Sequence, residues 1–191
     1  MNIDLTSVKL AILVANGFES EQVTAPREFL RRAGATSMIL SPEKDKVTPA
    51  GSDNEESALQ VDVILEAADE AGFDALLLPG GQGNVETLTA SPKAVALVKS
   101  FAVANKPIGA ISHAIKLLID SNAVSGRKVA ATSCLPDVSK QAAAEISEKP
   151  VVVDGSLVTA LDKDAVTAFY QAFAQICSEH KKSAGGSLHT D

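Results

Sequence analysis

The stretch Pro107-Ile108-Gly109-Ala110-Ile111-Ser112-His113-Ala114 decides the fold. Pro107 to Ile111 is a short apolar run of the kind buried on both faces of a parallel sheet. Ser112 stands at its end, and His113 to Asp120 reads as a helix. A strand that turns directly into a helix, with Gly109 and Ala110 leaving room for a tight turn, has the form of a nucleophile elbow. The free N–H groups and positive end of the helix face the tip, where they stabilise a thiolate or a developing oxyanion. A serine at that place is also a common helix N-cap, so the turn alone leaves both readings open.

The rest of the chain repeats the same grammar. Lys9 to Ala15 is a second buried run, followed by a helical pattern from Ser20 to Ala33 that Gly34 stops. Thr36 to Leu40 reads as a strand and Val61 to Leu65 as an exposed one. A short helix over Ala67–Ala71 leads to the buried run Asp74–Leu78, which Pro79-Gly80-Gly81 ends. Helical patterns follow at Asn84–Thr89 and Pro92–Ala104. After the elbow come a strand at Lys128–Ala131 and an Ala-rich helix at Val138–Ile146. Val151–Val153 and Leu157–Ala160 flank the hairpin turn Asp154-Gly155, and a closing helix covers Lys163–Glu179. This alternation predicts an α/β fold, a doubly wound and mostly parallel sheet sandwiched by helices, flavodoxin-like in form. Residues 1–180 form one domain, with a flexible polar tail over 181–191.

Composition narrows the function classes. Apolar residues make up 46% of the 191, but aromatics only 4%, so the core is aliphatic. A net charge of −7 with scattered Lys and Arg argues against a nucleic-acid partner. No apolar stretch reaches the length of a membrane span, and none resembles a signal peptide, so a soluble cytoplasmic protein is expected. Cys134 and Cys177 read as reduced, partly buried thiols, and His180 and His189 as bland. No His/Cys/Asp/Glu spacing marks a metal site, and no cofactor is expected.

In doubly wound sheets the site lies beyond the carboxyl ends of the strands. That rule brings together the loops Gly17-Phe18-Glu19 and Pro79-Gly80-Gly81 and the elbow at Ser112. Glu19 would place a carboxyl in the crevice, although a glutamate at the start of a helix also suits its dipole. Gly80 and Gly81 would let backbone approach a ligand and offer N–H donors, although a turn after a strand accounts for them equally.

Together with Leu117-Leu118-Ile119, Gly126-Arg127-Lys128 and Val152–Thr159, these motifs closely resemble the ThiJ/PfpI superfamily, in particular its PfpI intracellular-protease branch. The resemblance spans about Val8 to Ile176 and implies a class I glutamine amidotransferase-like fold. It implies a nucleophile at Ser112, a hydrogen bond to it from Glu19, and a triad of Ser112, His113 and an acidic Glu86 from a neighbouring subunit. Oxyanion donors would be the amides of Gly81 and His113, with Gly80 beside them. A homodimer at least is therefore expected, acting on a small molecule or a peptide.

The departures bear on activity. The family usually reads A-I-C-H-G-P here, whereas this chain has Ser112, and Ala114-Ile115-Lys116 replaces Gly-Pro-Gln. A hydroxyl does not ionise as a thiol does and needs a positioned base. Three explanations compete: an introduced replacement of cysteine, a natural serine that has lost the thiol chemistry, and a working serine hydrolase. The altered flank, untouched by a one-residue replacement, favours the natural serine. Peptidase, amidase or glyoxalase-type activity is thus expected to be weak or lost. The alternative is a non-enzymatic stress-response, chaperone-like or ligand-binding role.

Overall fold

The computed structural model describes residues 3–52, 55–131 and 143–186. Cys134, His189, the first five residues of the helix expected from Val138, and residues 187–191 of the tail lie outside them. Seven strands form the central sheet in the order β10-β11-β7-β6-β1-β2-β5. They are β1 (Lys9–Leu13), β2 (Thr36–Ser41), β5 (Val63–Ile64), β6 (Ala75–Leu78), β7 (Ile108–Ile111), β10 (Val151–Asp154) and β11 (Leu157–Ala160). Every pairing is parallel except the β10–β11 hairpin. The chain leaves β1 toward β2 on one side, and β6, β7 and β11 add on the other. The strand order therefore reverses beside β1, which opens a crevice past the strand ends there.

Alternation along the strands feeds two cores. On one face, Leu10 and Ile12 of β1 and Leu77 of β6 pack against Val23 and Leu30 of α1 (Ser20–Arg32) and Phe169 and Phe173 of α5 (Val166–Gly186). On the other, Ala11, Leu13, Leu76 and Leu78 meet Val85 and Leu88 of α2 (Gln82–Thr89), Leu97 and Phe101 of α3 (Pro92–Val103) and Leu117 and Leu118 of α4 (Ile115–Asp120). Burying each of the Val, Leu, Ile and Phe side chains among them is worth about 1.5–3 kcal/mol. Local signals set the helix ends. Ser91 accepts the Ala94 N–H at the start of α3, with Pro92 behind it. Gly34, at φ 104°, ends α1. Gly109 serves packing: a Cβ there would lie 2.8 Å from Phe169 Cζ and 3.0 Å from the Phe173 ring.

Several expected elements differ. Ala67–Ala71 is not a helix but two single 3₁₀ turns, Leu65–Ala67 and Glu70–Gly72, since five residues cannot repay helix nucleation. Glu145 and Ile146, expected to end an Ala-rich helix, belong instead to strand β9 (Glu145–Ser147), paired in parallel with β8 (Lys128–Ala130). There the ladder outweighs helix propensity. The closing helix runs to Gly186, so the first six residues of the expected tail are helical. A two-residue ribbon, β3 (Lys46–Val47) with β4 (Leu59–Gln60), was not expected. Among the described residues no helix is long and apolar enough to cross a membrane.

Candidate active site

The elbow forms where the sequence places it. β7 ends at Ile111, residues 112–114 make one 3₁₀ turn, and α4 follows. Ser112 sits at φ 55°, in the left-handed region. For a residue with a Cβ this costs of order 1–3 kcal/mol, and such strain concentrates at functional sites. Its half-buried Oγ lies 3.3 Å from Nδ1 of the exposed His113.

The turn after β6 wraps tightly round the elbow. A Cβ on Gly80 would stand 3.3 Å from Ser112 Cβ, 3.0 Å from the Ile111 carbonyl and 2.9 Å from Gln22 Oε1. Gly81, at φ 102°, would put a Cβ 2.2 Å from the Gly17 carbonyl oxygen. Only glycine lets these loops touch. Among the described residues the N–H groups of Gly81 and His113 donate to no protein acceptor. Gly80 differs from expectation. Its N–H donates to Gln22 Oε1 at 2.7 Å, and its carbonyl accepts from Glu19 N–H at 3.3 Å and from Asn84 Nδ2 at 3.1 Å. With its amide occupied, Gly80 provides space and no free donor.

Two residues that sequence reasoning did not single out hold this turn. Asn84 is fully buried at the start of α2. It accepts the Ala15 N–H beyond β1 and donates to the Pro79 and Gly80 carbonyls. Gln22, 3% exposed, lies one turn into α1. Their polarity in otherwise apolar helix faces was the available signal.

Glu19 also stands apart from its expected place. It precedes α1, is exposed, and its carboxylate makes no hydrogen bond among the described residues. The α1 side chain that comes to the elbow is Gln22, three residues on and on the inward face of the helix. An amide there neither takes nor gives a proton in the ordinary pH range.

Glu86 and His113 were expected to meet across two subunits. Within one chain they already line the same cleft of about 320 Å³, with Gln82, Val85, Ile115 and Lys116. No hydrogen bond joins them; the Glu86 carboxylate accepts from Gln82 Nε2 at 2.9 Å. Lys116 Nζ lies 3.7 Å from Asp120 and 3.5 Å from Thr89 Oγ1. Two of the three residues of the altered flank, Ile115 and Lys116, thus line this cleft. Among the described residues no group of three His, Cys, Asp or Glu side chains could hold a metal ion.

Comparison with known proteins identifies the family and the fold. Residues 8–176 match the family model described as the DJ-1/PfpI family. The chain is 33% identical over 164 residues to "Protein/nucleic acid deglycase 2" of Escherichia coli, covering 85% of this chain and 94% of that protein. It is 32% identical to "General stress protein 18" of Bacillus subtilis, covering 84% and 92%. A ThiJ/PfpI domain protein from Brachyspira murdochii superposes with a TM-score of 0.81 at 20% identity, over 91% of this chain and 98% of that one. Toxoplasma gondii DJ-1 does so with a TM-score of 0.76 at 23% identity, over 97% and 100%. By fold, elbow and sequence, the chain belongs to the DJ-1/PfpI family.

Proposed function

We propose that this protein is a member of its family that binds a small ligand at the elbow and has lost thiol-dependent chemistry, leaving weak turnover at most. The observation that carries the reading is the company Ser112 keeps. Its hydroxyl cannot become a strong nucleophile without a base. The buried α1 side chain beside the elbow is the amide of Gln22, bonded to the Gly80 N–H, and the Glu19 carboxylate makes no hydrogen bond among the described residues. The donors and the strained turn remain, so the crevice retains its receptor and lacks its reagent.

Relatives named deglycases and a putative cysteine protease set the test. A glycated amino acid, methylglyoxal and a peptide amide are offered to the protein, to Ser112→Cys, and to Ser112→Cys/Gln22→Glu. The parent is expected to be silent, Ser112→Cys to gain turnover, and the added carboxyl to raise it further by hydrogen-bonding the thiol. Turnover by the parent as fast as by either variant overturns the reading.

One observation favours a second reading, a working serine hydrolase: the 3.3 Å approach of His113 Nδ1 to Ser112 Oγ. In the tautomer with a bare Nδ1, that nitrogen would accept the hydroxyl proton. Covalent labelling of Ser112 by a fluorophosphonate establishes it, and its absence leaves the first. Self-association, expected from the resemblance, belongs to the proposal as well. Light scattering at micromolar concentration is expected to give a dimer or larger, and a monomer removes that part.

A further inference from the structure

We infer that the elbow crevice receives the carboxylate of a small aliphatic monocarboxylic acid, with Gln22 as one of its donors. The inference rests on the ligand-binding reading and names the ligand class. Three uncharged donors belong to the segments that meet at the elbow. The Gly81 N–H has no protein acceptor among the described residues, and its direction is fixed by the contact of Gly81 with Gly17 and Phe18. Ser112, whose Cβ lies 3.3 Å from the place a Gly80 Cβ would take, brings a hydroxyl to the same turn. The third donor is Gln22 Nε2. Gln22 Oε1 is committed to the Gly80 N–H, which orients the amide and leaves Nε2 as the opposite arm. Nε2 has no protein acceptor among the described residues. No buried side-chain polar atom there is without a partner, so Nε2 keeps contact with solvent although the residue is 3% exposed. Gln22 Oε1 and Ser112 Cβ both lie within 3.3 Å of the point where a Gly80 Cβ would sit, which puts this amide at the elbow.

Donors without a protein acceptor, held by a glycine turn and a buried amide, favour an anion with two acceptor oxygens. The adjoining cleft selects what the anion carries. Val85 and Ile115 offer an apolar surface to a short aliphatic chain. Glu86, in the same cleft, disfavours a second carboxylate, and Lys116 supplies a positive field for the first. Lys116 is shared with Asp120, so it attracts the anion without gripping it.

The test uses the full ¹⁵N-labelled chain and two isosteric probes, sodium isobutyrate and isobutyramide, at constant ionic strength. Isobutyrate is expected to shift the Gly81 backbone amide and the Gln22 side-chain amide saturably. Isobutyramide is expected to bind about tenfold more weakly, or less. Gln22→Glu retains an acceptor for the Gly80 N–H but replaces the donor with a negative charge, and is expected to abolish binding. Should that variant not fold, Ser112→Ala removes one donor and is expected to weaken binding about threefold to tenfold. Equal binding of the two probes, or unchanged affinity in the folded variant, overturns the inference. So does the lack of saturable shifts at Gly81; the loss of thiol chemistry would then still stand, since the turnover assay reads it separately.

Discussion

Asn84 ties Ala15, just past the end of the first strand, to the turn that follows β6. Its Oδ1 accepts the Ala15 N–H at 2.6 Å, while Nδ2 donates to Pro79 and Gly80 carbonyls at 2.9 and 3.1 Å. The side chain is fully buried, so water cannot substitute for it. Asn84→Ala is expected to cost about 2–4 kcal/mol, through the orphaned amide and carbonyls. Asn84→Asp should cost more, because a carboxylate oxygen would face two carbonyl oxygens in the interior. Urea unfolding of the two variants beside the parent checks both the size and the order.

Two glycines at positive φ separate steric need from conformational preference. Gly81→Ala would drive a methyl into the Gly17 carbonyl and is expected to lose about 3 kcal/mol or more. Gly51, at φ 69°, has open space around its Cβ position. Gly51→Ala should therefore cost only the left-handed preference, about 1 kcal/mol. Thermal melts of the two variants give the comparison, and equal losses would contradict the contact.

Acid sensitivity is expected from Glu28, whose carboxyl is lowered from 4.5 to about 2, first by Arg31 and then by Arg32. A carboxyl that is more acidic when folded adds stability that is complete above its unfolded value. That contribution disappears as pH falls through about 2. Over pH 5 to 2 the parent should lose stability more steeply than Glu28→Gln, and the curves should draw together at the acid end. The pair lies at the surface, its side chains 67% and 44% exposed, which keeps the difference small. Urea midpoints across this range measure it.

Cys177 should behave as an inert thiol. Burial, and after it the negative charge of Asp74, push its pKa far above the ordinary value. Native protein at pH 8 is expected to leave Cys177 unmodified by iodoacetamide, with full modification in 6 M guanidinium, each read by peptide mass mapping. Rapid native labelling would mean that the α5 packing opens.

Much of this architecture is legible from residues whose burial is decided locally. Leu10–Leu13 and Ala75–Leu78 are apolar and buried on both faces, as a strand inside a sheet covered by helices on both sides requires. Pro79-Gly80-Gly81 and the elbow announce themselves through backbone chemistry. What escaped reading depends on distant contacts. Glu145–Ser147 becomes a strand because β8 lies beside it, not because of its own composition. The two-residue ribbon β3–β4 is too short to leave a period in the sequence. At the site, Glu19 has the more suggestive chemistry, but residue 22 is on the face of α1 that turns inward, and only the packed helix reveals that. Asn84 resembles an ordinary polar residue in a first turn until β1 is placed next to it.

The glycine turn has a consequence for how such a protein evolves. One of its receptor groups, the Gly81 N–H, is a main-chain atom, positioned by the absence of side chains at residues 80 and 81. Selection acting on the nucleophile therefore changes the reagent and leaves the mould intact. On the proposed reading, a lineage that retires its chemistry at residue 112 keeps a shaped anion receptor. The reverse route, reinstalling catalysis by one or two substitutions, stays open for as long as those glycines persist.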